Sequence, residues 1–218
     1  MKTVRGLKRR SFIYTGGLTG ILVALGLNRT AHAGHLEAER FGERIAERYP
    51  AFDDARSRKV IFVAHCVINQ NARCNGSAMT PSAMPGIAEL LIANQIGIAQ
   101  MPCPELGCLG LGREGMIYDQ LCTHGSRRYL RALAQDIVYQ ARQYLGHGFK
   151  VLGVVGINCS PSCGVDCHAY NGEAPGRGAF MEELTAALRE DGLELPLIGV
   201  ADEKMDQSLA DLKKLIGV

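Results

Sequence analysis

The segment GINCSPSCGVDCHAY, residues 156–170, holds three cysteines at intervals of four residues: Cys159, Cys163 and Cys167. Thiols at this density can hold zinc or an iron–sulfur cluster, form disulfides, or pack as small apolar side chains. All eight cysteines of the 218-residue chain lie between residues 66 and 167. Cysteines used only for packing would be spread more evenly, so the clustering indicates a shared site, with disulfides as the alternative.

The spacing of these cysteines argues against two common metal motifs. Structural zinc sites usually contain Cys-x2-Cys pairs, and the chain has none. Ferredoxin clusters also use two-residue intervals. Pro161 and Gly164 argue against a helix that would align the three thiols on one face. A cluster held by single cysteines from separate loops fits the pattern better.

Apolar β-branched segments alternate along the chain with segments of helical period. They predict strands at 58–67, 96–103, 150–160 and 195–200, and helices at 35–49, 85–95, 126–148, 178–192 and 203–218. Ser126 is the predicted N-cap of the longest helix. This alternation predicts a three-layer α/β domain with a mostly parallel sheet.

Three of the predicted strands carry thiols to the same side of the sheet. Cys66 ends the first strand, Cys103 ends the second, and Cys159 and Cys163 come just past the third. Ligands of open α/β sheets bind outside the carboxyl ends of the strands, so these thiols are expected to converge there. Three thiolates on a 4Fe-4S cluster leave one iron open, and an open iron is a Lewis acid that can bind an external sulfur or oxygen atom.

Three motifs carry a family resemblance: AHCVINQNARCNG at 64–76, CPELGCLGLGREG at 103–115, and CSPSCG at 159–164. Over residues 58–202 the chain resembles the thiouracil desulfidase (2-thiouracil desulfurase) family, as a divergent, exported member. The resemblance implies a small Rossmann-like domain with a 4Fe-4S cluster on Cys66, Cys103 and Cys163. It also implies that Glu105 is the acid–base residue and that Ser160 binds substrate or handles a proton.

Each of these roles has a structural alternative. The three cysteines could be disulfide or core residues, Glu105 could cap a helix, and Ser160 could form a turn ahead of Pro161. Cys74–Cys122 and Cys159–Cys167 are conceivable disulfides.

Polar residues near the motifs are candidates for holding a substrate. Asn69 and Asn71 could donate hydrogen bonds to a heterocycle. Arg73 and Arg113 could contact an anionic group or brace loops. Alternation along the predicted first strand turns His65 to the sheet face opposite Cys66, which favours a core histidine.

The N-terminus has the features of an export signal. Residues 1–33 combine a basic start containing Arg9-Arg10-Ser11, an apolar run at 12–27 too short for a membrane span, and Ala31-His32-Ala33 before the expected cleavage point. This pattern predicts a twin-arginine signal peptide, a helical segment at 34–57 and a catalytic domain at 58–218. A plain Sec signal or an uncleaved anchor are the alternatives.

Removal of the predicted signal would change the charge of the chain. The formal net charge is +2, but residues 1–33 hold six of the 24 basic residues and none of the 22 acidic ones. The remainder therefore has 18 basic and 22 acidic residues. Without a basic patch interleaved with aromatics, a nucleic-acid partner is not expected.

The family resemblance and the N-terminal signal together imply an exported, periplasmic desulfidase. Its cofactor would be assembled in the cytoplasm before passage through the twin-arginine machinery. It would remove sulfur from a small thiocarbonyl-type molecule. The alternative is a non-catalytic iron–sulfur or zinc protein that carries or senses sulfide at the cell envelope. A weaker alternative is a disulfide-stapled binding domain without metal.

Overall fold

The computed structural model describes residues 52–170 and 172–218. The predicted signal at 1–33 and most of the predicted helical segment at 34–57 lie outside the described residues. Residues 52–57, the described part of that segment, form no helix. Within the described part of the chain, no helix is both long enough and apolar enough to cross a membrane.

The strands and helices alternate as the sequence predicts. The strands are β1 Lys59–Val63, β2 Gly97–Gln100, β3 Lys150–Ile157, β4 Cys167–Tyr170, β5 Gly172–Pro175 and β6 Leu197–Val200. The helices are α1 His65–Ile68, α2 Ile87–Ala93, α3 Pro104–Leu109, α4 His124–Gly146, α5 Ala179–Glu190 and α6 Met205–Ile216. Three short 3-10 turns cover Gln70–Ala72, Tyr118–Leu121 and Asp202–Lys204.

Four strands form one parallel sheet in the order β2-β1-β3-β6. Residues 60–63 of β1 and 153–157 of β3 are buried, so both faces of the central strands are covered, as continuous apolar runs in a parallel sheet require. The long helix α4 packs against α5 and β3, and α6 packs against β6 and β3. The prediction of a small Rossmann-like α/β domain is confirmed.

The sheet order creates a crevice at the carboxyl ends of the strands. From β1 the chain passes to β2 on one side, and β3 then pairs with β1 on the other side. The connections that leave β1 and β3 therefore run to opposite sides, and the space between them is where open α/β sheets bind ligands. The motif cysteines all follow the carboxyl ends of β1, β2 and β3.

The structure corrects the predicted end of the first strand and the predicted start of the longest helix, and it adds a hairpin. The first strand ends at Val63, so Cys66 lies in α1, just past the end of β1, and not in the strand itself. The N-cap of α4 is Thr123, because its hydroxyl oxygen accepts the Ser126 amide proton at 3.2 Å. The antiparallel hairpin β4–β5 was not predicted, since CHAY and GEAP are short and show no apolar alternation.

Candidate metal centre

A cavity of about 350 Å³ opens at the carboxyl ends of the strands. Its wall is built from residues that follow β1, β2, β3 and β6. Seven of the nine residues predicted to form the site line it: Cys66, Arg73, Cys103, Glu105, Arg113, Ser160 and Cys163. The size suits a small heterocycle, and the wall combines apolar surface with a few polar groups, as ligand sites usually do.

Cys66 lies in the single helical turn α1, directly after β1. The Ala64 amide donates to Val155 O of β3 at 2.8 Å, so the hydrogen bonding to β3 extends to the residue that precedes α1. Burial raises the pKa of the Cys66 thiol to about 12, and the nearby positive charge of Arg73 opposes this rise. Without a further cation, this thiol is neutral.

Cys103 is the N-cap of α3, and Pro104 occupies the first helical turn. The Cys103 sulfur accepts the Leu106 amide proton at 3.4 Å, and Arg113 Nη2 lies 3.9 Å from this sulfur. Burial raises the pKa of the Cys103 thiol, and the hydrogen bond from Leu106 partly offsets the rise. The cap therefore fixes the position of the Cys103 sulfur at the start of α3.

Cys163 is buried and is held by a tight loop after β3. Its amide donates to Ser160 Oγ at 3.0 Å, and its carbonyl accepts from Ile157 N at 3.0 Å. Gly164 is required in this loop, because a Cβ there would collide with the carbonyl oxygens of Cys167 and Ser160. Burial raises the pKa of Cys163 well above its ordinary value, and the charges of Cys66 and Cys103 raise it further. The three thiols are thus close enough for ionisation of one to raise the pKa of another.

Glu105 is a buried carboxylate in the same wall. Ser162 Oγ donates a 2.6 Å hydrogen bond to its Oε1, and Arg113 Nε lies 3.5 Å from its Oε2. Arg113 is itself held by the carbonyl oxygens of Ala72 at 2.8 Å and Gly110 at 3.2 Å. The arginine and the serine therefore fix the carboxylate between them and keep its charge paired.

Ser162 is a site residue that the sequence reasoning missed. It is 1% exposed, and its hydroxyl contacts both Glu105 and the hydroxyl of Ser160, which lies 3.3 Å away. Ser160 accepts the amide protons of Ser162 and Cys163, so its oxygen holds the loop in the way that the turn alternative describes. The available signal was its place immediately before Cys163 in the Ser-Pro-Ser-Cys-Gly motif.

Arg73 and Asp202 form an ion pair in the cavity wall, with Arg73 Nη2 2.7 Å from Asp202 Oδ2. Arg73 Nη1 also donates to Ser77 O at 2.8 Å. Arg73 Nε and Asp202 Oδ1 have no hydrogen-bond partner although they are buried. Asp202 was missed, and its signal was its position after the fourth strand of the sheet.

The prediction that Asn69 and Asn71 reach the substrate is not supported by their positions, because neither lines the cavity. Asn69 Oδ1 caps the following 3-10 turn by accepting from Asn71 N at 3.2 Å, and Asn71 is exposed. The prediction for His65 is wrong. His65 lies beside Cys66 in α1 and lines the cavity, and its Nδ1 is 2.7 Å from Gln100 Nε2. Neighbouring residues in a helix do not point to opposite faces.

A second thiol group lies in the loop after β3. Cys159, Cys167 and Glu173 form a group that could hold a single metal ion, with their ligand atoms within 4.8 Å of one another. The sulfurs of Cys159 and Cys167 are 2.7 Å apart. Burial raises the pKa of Cys159, and contacts with Cys167 and Glu173 raise it further. The structure therefore contains a possible metal-binding cysteine cluster that differs from the expected ligand set.

Of the remaining cysteines, Cys74 also lines the cavity, whereas Cys108 and Cys122 do not. All eight are free thiols in the structure. Cys74 contacts Ser77 Oγ at 3.3 Å, and Cys122 is exposed and accepts from Arg127 Nη2 at 3.2 Å. Cys108 is exposed on α3. The structure thus shows neither of the two conceivable disulfides, Cys74–Cys122 and Cys159–Cys167, as a bond.

Comparison with known proteins gives one informative match. A protein of Methanocaldococcus jannaschii named "Uncharacterized protein MJ0003" is 30% identical to this chain over 129 residues, which cover 59% of this chain and 77% of that protein. No family model matches the chain. No solved structure matches it.

Proposed function

The chain belongs to the same family as uncharacterized protein MJ0003 of M. jannaschii, and on that premise we propose a function from the chemistry of its cavity. The protein is an iron–sulfur-dependent desulfidase that removes sulfur, as sulfide, from a thiocarbonyl-type small molecule. A 4Fe-4S cluster bound by Cys66, Cys103 and Cys163 would supply an open iron, a thiophilic Lewis acid, inside the cavity.

One observation carries this proposal: three thiols from three separate strand ends share a cavity wall with a buried carboxylate. Among residues 52–170 and 172–218, these three thiols do not form a group compact enough for a single ion, whereas Cys159, Cys167 and Glu173 do. The cysteines of a cluster bind different iron atoms, so they are not required to meet at one point. Sulfur-only donors from separate loops therefore suit a cluster.

The three thiols would have to lose their protons to bind a cluster. Burial raises the pKa of each, so they are neutral without a metal, and a bound cationic centre would be needed to hold them as thiolates. Arg73 and Arg113 are the nearby side-chain cations in the cavity wall, and each is already paired with a carboxylate. A metal centre would supply the missing positive charge.

Glu105 is the residue that would accept a proton from water in the cavity. Its carboxylate is fixed by Ser162 and Arg113, so it is held in place before a substrate arrives. Ser160, Ser162 and Glu105 form a hydrogen-bonded series with oxygen–oxygen distances of 3.3 and 2.6 Å. Through this series a proton taken up by Glu105 can be passed toward Ser160.

Arg73 and Asp202 would orient the substrate. Both residues line the cavity, and Arg73 Nε and Asp202 Oδ1 are buried without a hydrogen-bond partner. A cyclic thioamide or thiourea offers the matching carbonyl-type acceptor and N–H donor along one edge. Such a site rejects molecules that lack either group, because buried polar atoms would then stay unpaired. This favours a nitrogen heterocycle as the substrate class.

The test is sulfide release from a panel of thiocarbonyl heterocycles that includes 2-thiouracil. Full-length protein with its iron reconstituted under anaerobic conditions is compared with the same preparation after iron removal. We expect release only from the iron-loaded sample, with multiple turnovers. Iron-loaded protein that releases no sulfide from any member of the panel would contradict the proposal.

A non-catalytic iron–sulfur or zinc protein that carries or senses sulfide is the second candidate. The second thiol group favours it when its cysteines are reduced, because Cys159, Cys167 and Glu173 then offer a compact single-ion site with no evident place in turnover. A carrier needs the thiols but not Glu105. Sulfide binding that survives the loss of this carboxylate, without catalytic release, would favour the carrier.

The N-terminal sequence supports export of the protein. The Arg9-Arg10-Ser11 sequence and the apolar run behind it support a twin-arginine signal, a route that carries folded proteins. The cluster would then be assembled in the cytoplasm and act in the periplasm. Replacing Arg9 and Arg10 with lysines should hold the protein in the cytoplasm, which cell fractionation would detect; unchanged export would contradict this route.

A further inference from the structure

Cys159 and Cys167 lie at the two ends of the loop that carries Cys163. Their sulfur atoms are 2.7 Å apart, which is closer than two unbonded sulfurs normally approach. We call these two residues the loop pair, and we call Cys66, Cys103 and Cys163 the trio. Cys159 also lines the cavity, and both members of the loop pair are half-buried.

The backbone holds the loop pair together independently of the sulfurs. Cys159 N donates to Cys167 O at 3.0 Å. Residues joined by such a bond lie roughly 5 Å apart at Cα, inside the range that disulfides span. Cys159 has a φ of 61°, which a residue other than glycine adopts only where its surroundings fix it. Cys167 begins β4 and pairs with Pro175 of β5, so the second end is also anchored.

A disulfide explains the contact better than a shared metal ion. Two thiolates on one tetrahedral zinc lie roughly 3.7 Å apart, which follows from zinc–sulfur bonds of about 2.3 Å. The observed separation is about 1 Å shorter than that distance and closer to the bonded distance of about 2.05 Å. The third donor of a metal site, Glu173, is exposed.

We propose that Cys159 and Cys167 form a reversible disulfide that locks the loop holding Cys163. The oxidant is a disulfide of a small thiol or of a thiol oxidoreductase. One cysteine thiolate attacks this disulfide and releases the first thiol. The second cysteine then attacks the mixed disulfide and releases the second thiol, so two electrons and two protons pass to the oxidant.

The disulfide would constrain a segment that carries residues of the cavity wall. Residues 160–166 carry both Ser162, the partner of Glu105, and Cys163, a member of the trio. A bond between residues 159 and 167 closes this segment at its two ends and removes the freedom of the ends to separate. The inference concerns only these thiols and does not depend on the proposed activity, because the loop pair is outside the trio.

The test is to map the disulfide in the full-length chain after equilibration with glutathione disulfide. Free thiols are blocked with N-ethylmaleimide under denaturing conditions, and trypsin then releases residues 151–177 as one peptide with three cysteines. We expect a peptide that is lighter by two hydrogens and carries a single label, on Cys163. Cleavage before Asp166 should leave two fragments joined through Cys159 and Cys167.

Two results would overturn the disulfide. They are three labelled cysteines in that peptide and a bond that includes Cys163. In Cys167→Ser both remaining thiols should be labelled, whereas Cys108→Ser, at an exposed site, should retain the bond. The iron content of each sample, measured in parallel, shows separately whether the trio holds its cluster.

The locking effect has its own readout. Amide deuterium uptake by residues 160–166 should be slower in the oxidised protein than in the reduced protein. Cys167→Ser should show no such dependence on oxidation. Equal uptake in the oxidised and reduced wild type, with the disulfide mapped, would show that the bond forms without locking the loop.

Discussion

The trio and the loop pair are built from the same residue type by different means. The trio comes from three strand ends, and its members are 37 and 60 residues apart in the chain. The loop pair comes from one segment closed by a backbone hydrogen bond. The sheet can therefore hold the trio apart at fixed positions around a cavity, whereas the loop brings its two sulfurs into direct contact. Separated thiols suit a cluster, and touching thiols suit a bond between themselves.

The carboxylates beside the two groups provide the strongest contrast. Glu105, beside the trio, is buried and held by Ser162 and Arg113, whereas Glu173, beside the loop pair, is exposed. We expect Glu105→Gln to lower sulfide release by about 10²–10⁴-fold with iron retained, because a positioned general base is lost. Glu173→Gln should change the rate less than twofold. Steady-state sulfide release checks both, and a larger loss in Glu173→Gln would reverse the comparison.

The pKa of Cys66 predicts how the iron-free protein responds to pH. Its folded-state pKa is raised from 9.0 to about 12, so its contribution to stability is full below pH 9 and is lost as the pH rises toward 12. The loss amounts to roughly 2–4 kcal/mol in the free energy of unfolding. Urea unfolding between pH 8 and 11 checks this.

Two variants isolate the share of Cys66 in that pH dependence. Cys66→Ala should make the decline in stability less steep, with the remainder coming from Cys103 and Cys163. Cys108→Ser, which changes an exposed thiol, should leave the decline as in the wild type. An unchanged slope in Cys66→Ala would mean that Cys66 does not contribute to it.

Ser162→Ala removes the hydrogen bond to Glu105. We expect a loss of about 1–3 kcal/mol in the free energy of unfolding, because a buried charged acceptor loses its donor. Sulfide release should fall as well, because the carboxylate is no longer held by the loop. Ser162→Cys, which retains a weak donor, serves as the matched variant. Full activity and full stability in Ser162→Ala would show that the 2.6 Å contact has no role.

Asn71→Ala should have the smallest effect. Asn71 is exposed and its side chain only contacts Asn69, so stability should change by less than about 0.5 kcal/mol and the KM for substrate should not change. Arg73→Gln, in the cavity wall, is the comparison and should raise the KM. A raised KM in Asn71→Ala alone would place the substrate outside the cavity.

Topology predicted a shared site for the thiols that follow three strands, and the family resemblance selected Cys66, Cys103 and Cys163 among them. Carboxyl ends of parallel strands meet at one side of a sheet, so cysteines after three strands were expected to share a site even though the strand limits were wrong by a few residues. Cys66 shows this tolerance. It lies in a helix and not in a strand, yet it still lines the cavity.

Side-chain partners were not predictable in the same way. The hydrogen bond of Ser162 to Glu105 spans 57 residues, and only packing of the folded chain brings them together. Asn69 has a polar side chain beside a motif cysteine, but a nearby backbone amide takes its oxygen, a competition that residue type alone does not decide. The left-handed conformation of Cys159 could not be predicted from the sequence either, because glycine is the residue that usually indicates a positive φ.

The central claim is that the trio, and not the loop pair, holds an iron–sulfur cluster. The most direct measurement is iron and acid-labile sulfide per chain in anaerobically purified protein, with absorption near 400 nm, for the wild type, Cys163→Ser and Cys159→Ser. We expect about four of each in the wild type and in Cys159→Ser, and loss of both in Cys163→Ser. An iron-free, colourless wild type, or loss of iron in Cys159→Ser but not in Cys163→Ser, would contradict the assignment.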